Sequence, residues 1–254
     1  MKKTETNNYW NERAKTVEND LEVNIMDVFQ RNLEYDYIIK YLEPSMHLLE
    51  VGCGMGISTN LFRDKVKWVD AFDYETNMID RAKTLYGEKN NKFIHDNILE
   101  PKLLTNQYDA ITCVRVLINL ANFNEQKTAI LNMTKLLKKG GKLILVEGFN
   151  EGFYEMNKLR KELNLSDLVP AKINYYSNYS EIKPLLEENY SLVDEFHLGA
   201  YDYLTRVVYP TLVGENNVKH NTSFSEKSEQ LARAFNPDDF KHLSRIRGLV
   251  LVKK

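Results

Sequence analysis

The 254-residue chain has only two cysteines, six prolines and two tryptophans, and no long apolar run. Cys53 and Cys113 give no disulfide framework. Both stand in apolar runs that read as strand ends, the setting of packed, reduced thiols. The five histidines are scattered without Cys-x-x-Cys or His-x-x-x-His spacing, so no metal site is expected. No stretch reaches the roughly 18 apolar residues of a membrane helix. The opening residues, Met1 to Asn8, are basic with no apolar segment behind them, so no secretory leader is expected and the chain reads as cytoplasmic, without membrane partners. Charge of one sign is missing as well. The 34 basic and 36 acidic residues leave a formal charge of -2, which argues against nucleic acid as a partner.

What is present is enough apolar material, 43% of residues, for one sizeable core, so residues 1–254 are expected to form a single domain. It divides into an N-terminal helical cap (1–46), a strand and helix core (47–148) and a remainder (149–254) that completes the sheet. A partly helical insertion is expected at about 199–244, because that stretch is too long for a plain connection. From about residue 47 to 148 short apolar runs alternate with helix-period segments, the mark of βαβ units on a mostly parallel sheet. Strands are predicted at His47–Val51, Lys67–Asp73, Lys92–His95, Tyr108–Val114 and Lys142–Gly148, with later ones at Ser191–Phe196 and Ile246–Lys253. Helices are predicted after Ile57, over Asn77–Leu85 and Glu125–Leu137, near Phe153–Leu163 and from Ser180. Lys138-Lys139-Gly140-Gly141 is expected to cap the third of these through its cations and a left-handed glycine. Ahead of the core, Ile25 to Leu42 repeats apolar residues at helical spacing and should end at Pro44.

The segment Leu48-Leu49-Glu50-Val51-Gly52-Cys53-Gly54-Met55-Gly56 is an apolar strand running into three alternate glycines and then a helix. Glycine is needed where the backbone turns tightly and a ligand approaches without Cβ interference. A dinucleotide fingerprint spaces its glycines G-x-G-x-x-G, whereas here the third comes one residue early and Ile57 stands in the dinucleotide position. Glu50 would repel a pyrophosphate and attract an amino or sulfonium group. Asp73 ends the second strand, 17 residues past Gly56, where an acid can accept both hydroxyls of a ribose. Asp96 ends the third, placed to take the exocyclic amine of an adenine. The ligand thus reads as a cationic conjugate of an amino acid and a nucleoside.

On these motifs the chain, from about Tyr9 to Gly148, resembles the class I, Rossmann-like S-adenosylmethionine-dependent methyltransferases. The acid-x-G-x-G-x-G element is Glu50 to Gly56, the ribose acid is Asp73 with Asn77-Met78 following, and Gln107 to Ile111 and Leu136 to Leu143 match the approaches to strands four and five. The resemblance implies a Rossmann-like α/β fold, a seven-stranded, mostly parallel sheet with the last strand antiparallel and helices on both faces. It implies S-adenosylmethionine as cofactor, leaving as S-adenosylhomocysteine. Glu50, Gly52 and Gly54 would line its methionine half with the backbone of Val114, Asp73 and Tyr74 its ribose, and Asp96, Asn97 and Ile98 its adenine, with Cys53, Gly56 and Met78 also among the cofactor-binding residues.

Methyl transfer chiefly needs alignment of the acceptor about 3 Å from the methyl and exclusion of water. No N-P-P-Y-type element points to an amide or a DNA base. Where many relatives read Glu-Val-Leu-x-His after strand four, this chain has Arg115 and Asn119, so a histidine base is absent at that place. The variant resembles a small-molecule subgroup associated with bacterial surface-polysaccharide and secondary-metabolite pathways. An arginine inside an apolar run, as Arg115 is, needs a partner. Arg31, Arg115 and Arg206 are therefore expected to bind a small, anionic or saccharide-related acceptor, with Tyr9, Asn119, Tyr176, Asn178 and Tyr203 shaping the pocket. Arg115 and Glu147 are the candidates for catalysis, Glu147 as a base. A structural ion pair of Arg115 with Glu147 or another acid is the competing reading. The protein is expected as a monomer or homodimer. Alternatives are an NAD-dependent oxidoreductase, which the glycine spacing opposes, a non-catalytic nucleoside-binding protein, and an RNA methyltransferase, which would need a basic face interleaved with aromatics.

Overall fold

The computed structural model describes residues 2–16, 26–87, 89–102, 107–236 and 238–254. Strands β1 (His47–Val51), β2 (Trp68–Asp73), β3 (Asn91–His95), β4 (Tyr108–Val114), β5 (Leu137–Gly148), β6 (Tyr190–His197) and β7 (Ile246–Lys253) form one sheet in the order β3-β2-β1-β4-β5-β7-β6. Strands β1 to β5 pair in parallel, and β7 runs antiparallel to both β5 and β6. This is the Rossmann-like methyltransferase topology. Its strand order reverses between β1 and β4, and the crevice at that reversal, beyond the carboxyl ends, is where such sheets bind ligands.

The central strands read as near-continuous apolar runs because both of their faces are covered. Leu49, Ile111, Leu143 and Leu249 pack on one side against Ile130 and Met133 of α5 (Phe123–Leu136). Leu48, Val69, Ala110 and Ile144, one residue out of phase, pack on the other side against Leu33 and Ile38 of α2 (Val28–Ile39), Phe62 of α3 (Ile57–Phe62) and Ile79 of α4 (Thr76–Tyr86). Cys53 and Cys113 are buried free thiols.

Two element ends differ from expectation. The helix expected over residues 25–42 starts at Val28, because the Asp27 side chain caps it by accepting the Gln30 N–H at 3.1 Å, and it ends at Ile39, short of Pro44. Ile25 lies outside the described residues. Helix α5 ends at Leu136 rather than on the glycine pair, since Leu137 is already extended and pairs with Tyr108 across the sheet. Lys138, expected at the helix end, instead bonds Asp109 at 2.6 Å. Gly140, at φ +76°, turns the chain inside β5.

After β5 come α6 (Asn150–Glu162) and α7 (Tyr179–Asn189). Between β6 and β7 lie α8 (Gly199–Tyr203), a π-helical turn (Leu204–Val208), α9 (Tyr209–Val213) and α10 (Ser223–Ala234). The first helix, α1 (Lys2–Thr16), lies against α4: Asn77 donates to Asn11 at 2.6 Å. No helix among the described residues is long and apolar enough to cross a membrane, and no group of metal-ligating side chains is found among them.

Candidate functional site

A cavity of about 440 Å³ opens over the carboxyl ends of β1, β2 and β4. Its floor is the glycine loop. Gly52, Gly54 and Gly56 all have positive φ, at +71°, +54° and +82°, a region that costs other residues roughly 1–2 kcal/mol. Gly52 and Gly54 face the cavity with Cys53. Gly56 does not line it: it is the N-cap of α3, and a Cβ there would strike the Phe93 ring.

Two carboxylates flank this floor. Glu50, buried, accepts the Ser58 hydroxyl and, at 2.5 Å, the Thr59 hydroxyl. Burial pushes its carboxyl up to about 7 against the pull of those hydroxyls. Asp73 accepts the N–H groups of Gly54 and Glu75, each at 2.9 Å. Burial raises it too, against those two bonds. Neither acid forms a salt bridge among the described residues; Arg31 draws on Glu50 only through space. Met78, Ile98 and Asn97 line the cleft next to Asp73, Tyr74 stands exposed at its rim, and Val114 closes the β4 side. A cationic sulfonium nucleoside fits this donor set: acids outside any direct ion pair, bare backbone at the turn, and an apolar slot beside the Asp73 carboxylate.

Asp96 is placed differently from the sequence expectation. It does not line the cavity; its buried carboxylate accepts the backbone N–H groups of Asn97 and Lys102, the conformational use of an acid in a turn.

Arginines share the same cavity. Arg31, Arg115, Arg206 and Arg245 all line the cavity, each set against a buried acid. Glu34 bonds Arg31 at 3.1 Å and stands 3.7 Å from Arg115, Asp27 bonds Arg206 at 3.0 Å, and Asp202 accepts Nε of Arg245 at 3.1 Å. Arg115 has φ +54°, outside the comfortable range of a non-glycine residue, with its N–H held by Val146 at 2.8 Å. Its partner is thus Glu34 and not Glu147. Strain at a cleft-lining residue is the pattern of a functional position.

Glu147 is not in the cavity. It is fully enclosed and accepts the N–H groups of Val116 and Leu117, each at 2.7 Å, so it serves as an anchor for the loop after β4 and not as a base reaching substrate. Burial drives its carboxyl up to about 8 in spite of these bonds. Tyr9, Asn119 and Tyr176 line the cavity. Two other residues do not. Asn178 caps α7, and Tyr203 stacks on Phe240 with ring centroids 4.8 Å apart.

Sequence reasoning missed Trp10, Asp27, His220 and Arg245. Trp10 packs on Met55 and Met78 and donates to Asn119 at 3.2 Å, so α1 roofs the cleft. The α1 sequence has no apolar period to signal this. Asp27 and His220 meet only in the folded chain, and Arg245 stands just before β7 with nothing local to mark it.

Residues 49–145 match the family described as Methyltransferase domain. An uncharacterized methyltransferase of Mycobacterium bovis is 25% identical over 117 residues, 45% of this chain and 58% of its own length; the chain therefore spans under two thirds of that curated relative. By structure, the N-methyltransferase NodS of Bradyrhizobium japonicum, bound to S-adenosyl-L-homocysteine, superposes with a TM-score of 0.60 at 15% identity, covering 98% of each chain. The magnesium protoporphyrin IX methyltransferase of Synechocystis, bound to S-adenosylmethionine, gives 0.61 at 16% identity, covering 100% of this chain and 98% of that one. These likenesses carry the fold, and residues 49–145 are similar to the methyltransferase domain family.

Proposed function

We propose that this chain is an S-adenosylmethionine-dependent methyltransferase whose acceptor is a small molecule, anionic or saccharide-related, methylated on oxygen or nitrogen. One observation carries the reading: a single cavity has two carboxylates outside any salt bridge among the described residues, Glu50 and Asp73, at its glycine floor and the arginines Arg31, Arg115, Arg206 and Arg245 in its lining. Bound there, S-adenosylmethionine supplies a methyl group on a cationic sulfur. Glu50 balances the charge of its amino acid end, Asp73 takes the ribose hydroxyls, and Met78 and Ile98 enclose the adenine. Open backbone at Gly52 and Gly54 lets the ligand approach, and Trp10 helps exclude water. Arg115 and its neighbouring arginines hold the acceptor's anionic group, so alignment is the main source of rate. The arginines lie inside the cavity, which favours a small acceptor, and a formal charge of -2 gives no basic excess that would favour nucleic acid.

Calorimetry with S-adenosylhomocysteine tests the donor half. The parent chain is expected to bind it and Asp73→Ala to bind at least tenfold more weakly, while NAD gives no heat. Absence of binding by the parent, or equal binding by Asp73→Ala, overturns the reading.

A further inference from the structure

Resting on that reading, we propose that His220, oriented by Asp27, takes the proton from the acceptor's nucleophile, and hence that the methylated group is a hydroxyl. His220 belongs to the insertion between β6 and β7 and lines the same cavity as Gly52 and Arg115. Its Nδ1 lies 3.5 Å from Oδ2 of Asp27. That leaves Nε2 as the ring nitrogen for the cleft, and no hydrogen-bond partner is found for it among the described residues. A carboxylate behind one imidazole nitrogen sets the tautomer and stabilises the cation that forms when the other nitrogen takes a proton.

Asp27 is built for this task. Its Oδ1 accepts the Tyr201 hydroxyl at 2.6 Å and the Gln30 N–H, and its Oδ2 accepts Arg206 at 3.0 Å. Burial alone would raise this carboxyl, but His220, Arg206, Tyr201 and Gln30 together hold it well below the usual range, so it stays ionised. The groups facing the imidazole are thus Asp27 from the start of α2 and Arg206 from the π-helical turn, which shares the same oxygen.

The other ionisable groups on or near the acceptor wall are engaged. Glu34 is taken by Gln30 and Arg31, Asp202 by Arg245, and Glu147 by backbone N–H groups outside the cavity. Tyr35 and Tyr176 are pushed up by burial, which makes them poor bases. A carboxylate or a free amine needs no base to attack a methyl group; a hydroxyl does. In the step, a lone pair of the acceptor oxygen forms the new O–C bond and the S–C bond breaks with its pair passing to sulfur. The hydroxyl proton passes to Nε2 of His220 and is later lost to water. The products are a methyl ether, the neutral thioether and one proton.

The test uses the full chain and labelled S-adenosylmethionine with a panel of hydroxylated carboxylic acids and sugar phosphates. Each panel member is paired with its deoxy analogue. Methyl transfer is expected only to hydroxyl-bearing members. The parent's kcat is expected to rise with pH; His220→Gln should lower kcat by about 10²-fold or more and lose that rise, with KM and S-adenosylhomocysteine affinity within twofold. Asp27→Asn, which keeps the helix cap, should show a milder kcat loss in the same direction. Equal kcat in His220→Gln, transfer to deoxy analogues, or a silent panel from a chain that binds S-adenosylhomocysteine each overturns the proposal. A chain that does not bind S-adenosylhomocysteine fails instead on the underlying donor reading.

Discussion

Val116 fills the space that a Cβ on Gly52 would occupy. The glycine loop after β1 and the loop after β4 are thereby locked together at the floor of the cleft. Gly52 also has φ +71°, so alanine there meets both strain and a neighbour that must move. Gly52→Ala is expected to cost about 1–2 kcal/mol in urea unfolding and to weaken S-adenosylhomocysteine at least tenfold by calorimetry. Parent-like affinity would show that the two loops move independently.

Glu147 holds the other end of that contact, through the N–H groups of Val116, Leu117 and Ile118. Glu147→Ala leaves these buried donors unsatisfied and should lower stability by about 1–3 kcal/mol in a denaturant series. A variant as stable as the parent would mean that water replaces the carboxylate at no cost.

Glu50 gives a pH dependence whose sign follows from its burial. Its carboxyl is raised to about 7 in the folded chain from 4.5, so the folded state binds the extra proton. The associated stability is complete below pH 4.5 and is lost as pH rises through 7. The ligand-free parent should therefore lose more melting temperature between pH 5 and pH 8 than Glu50→Gln does. Parallel curves for the two would show that Glu50 is ionised throughout.

Arg115 sits in a left-handed conformation, so Arg115→Gly removes strain along with the guanidinium. Stability should stay level or rise by up to about 1 kcal/mol. Affinity for S-adenosylhomocysteine should hold within twofold while methyl transfer to the acceptor panel collapses. Transfer at the parent rate would remove Arg115 from the acceptor site.

The donor half was legible in the order of residues because its signals are local. Apolar runs of strand length, glycines one residue apart and an acid at a strand end each report backbone geometry within a few positions, and Gly52, Gly54, Glu50 and Asp73 converge as a parallel sheet requires. Asp96 carries the same local signal, yet its carboxylate turns back onto the N–H of Lys102. A strand-end acid serves ligand or turn according to how the following loop folds, and neighbouring residues do not encode that choice.

The amino-acid sequence by itself determined the sheet, its parallel core with one antiparallel strand, and the chemical character of the donor cleft, since periodicity and glycine placement act through short-range backbone sterics. Only tertiary structure decided the arginine-lined part of the cavity and its surroundings: that Arg115 meets Glu34 and not Glu147, that Tyr203 turns away to Phe240, and that Asp27 stands behind His220. Those outcomes depend on contacts between segments far apart in the chain, where burial makes each charge find whichever opposite charge the packing brings near.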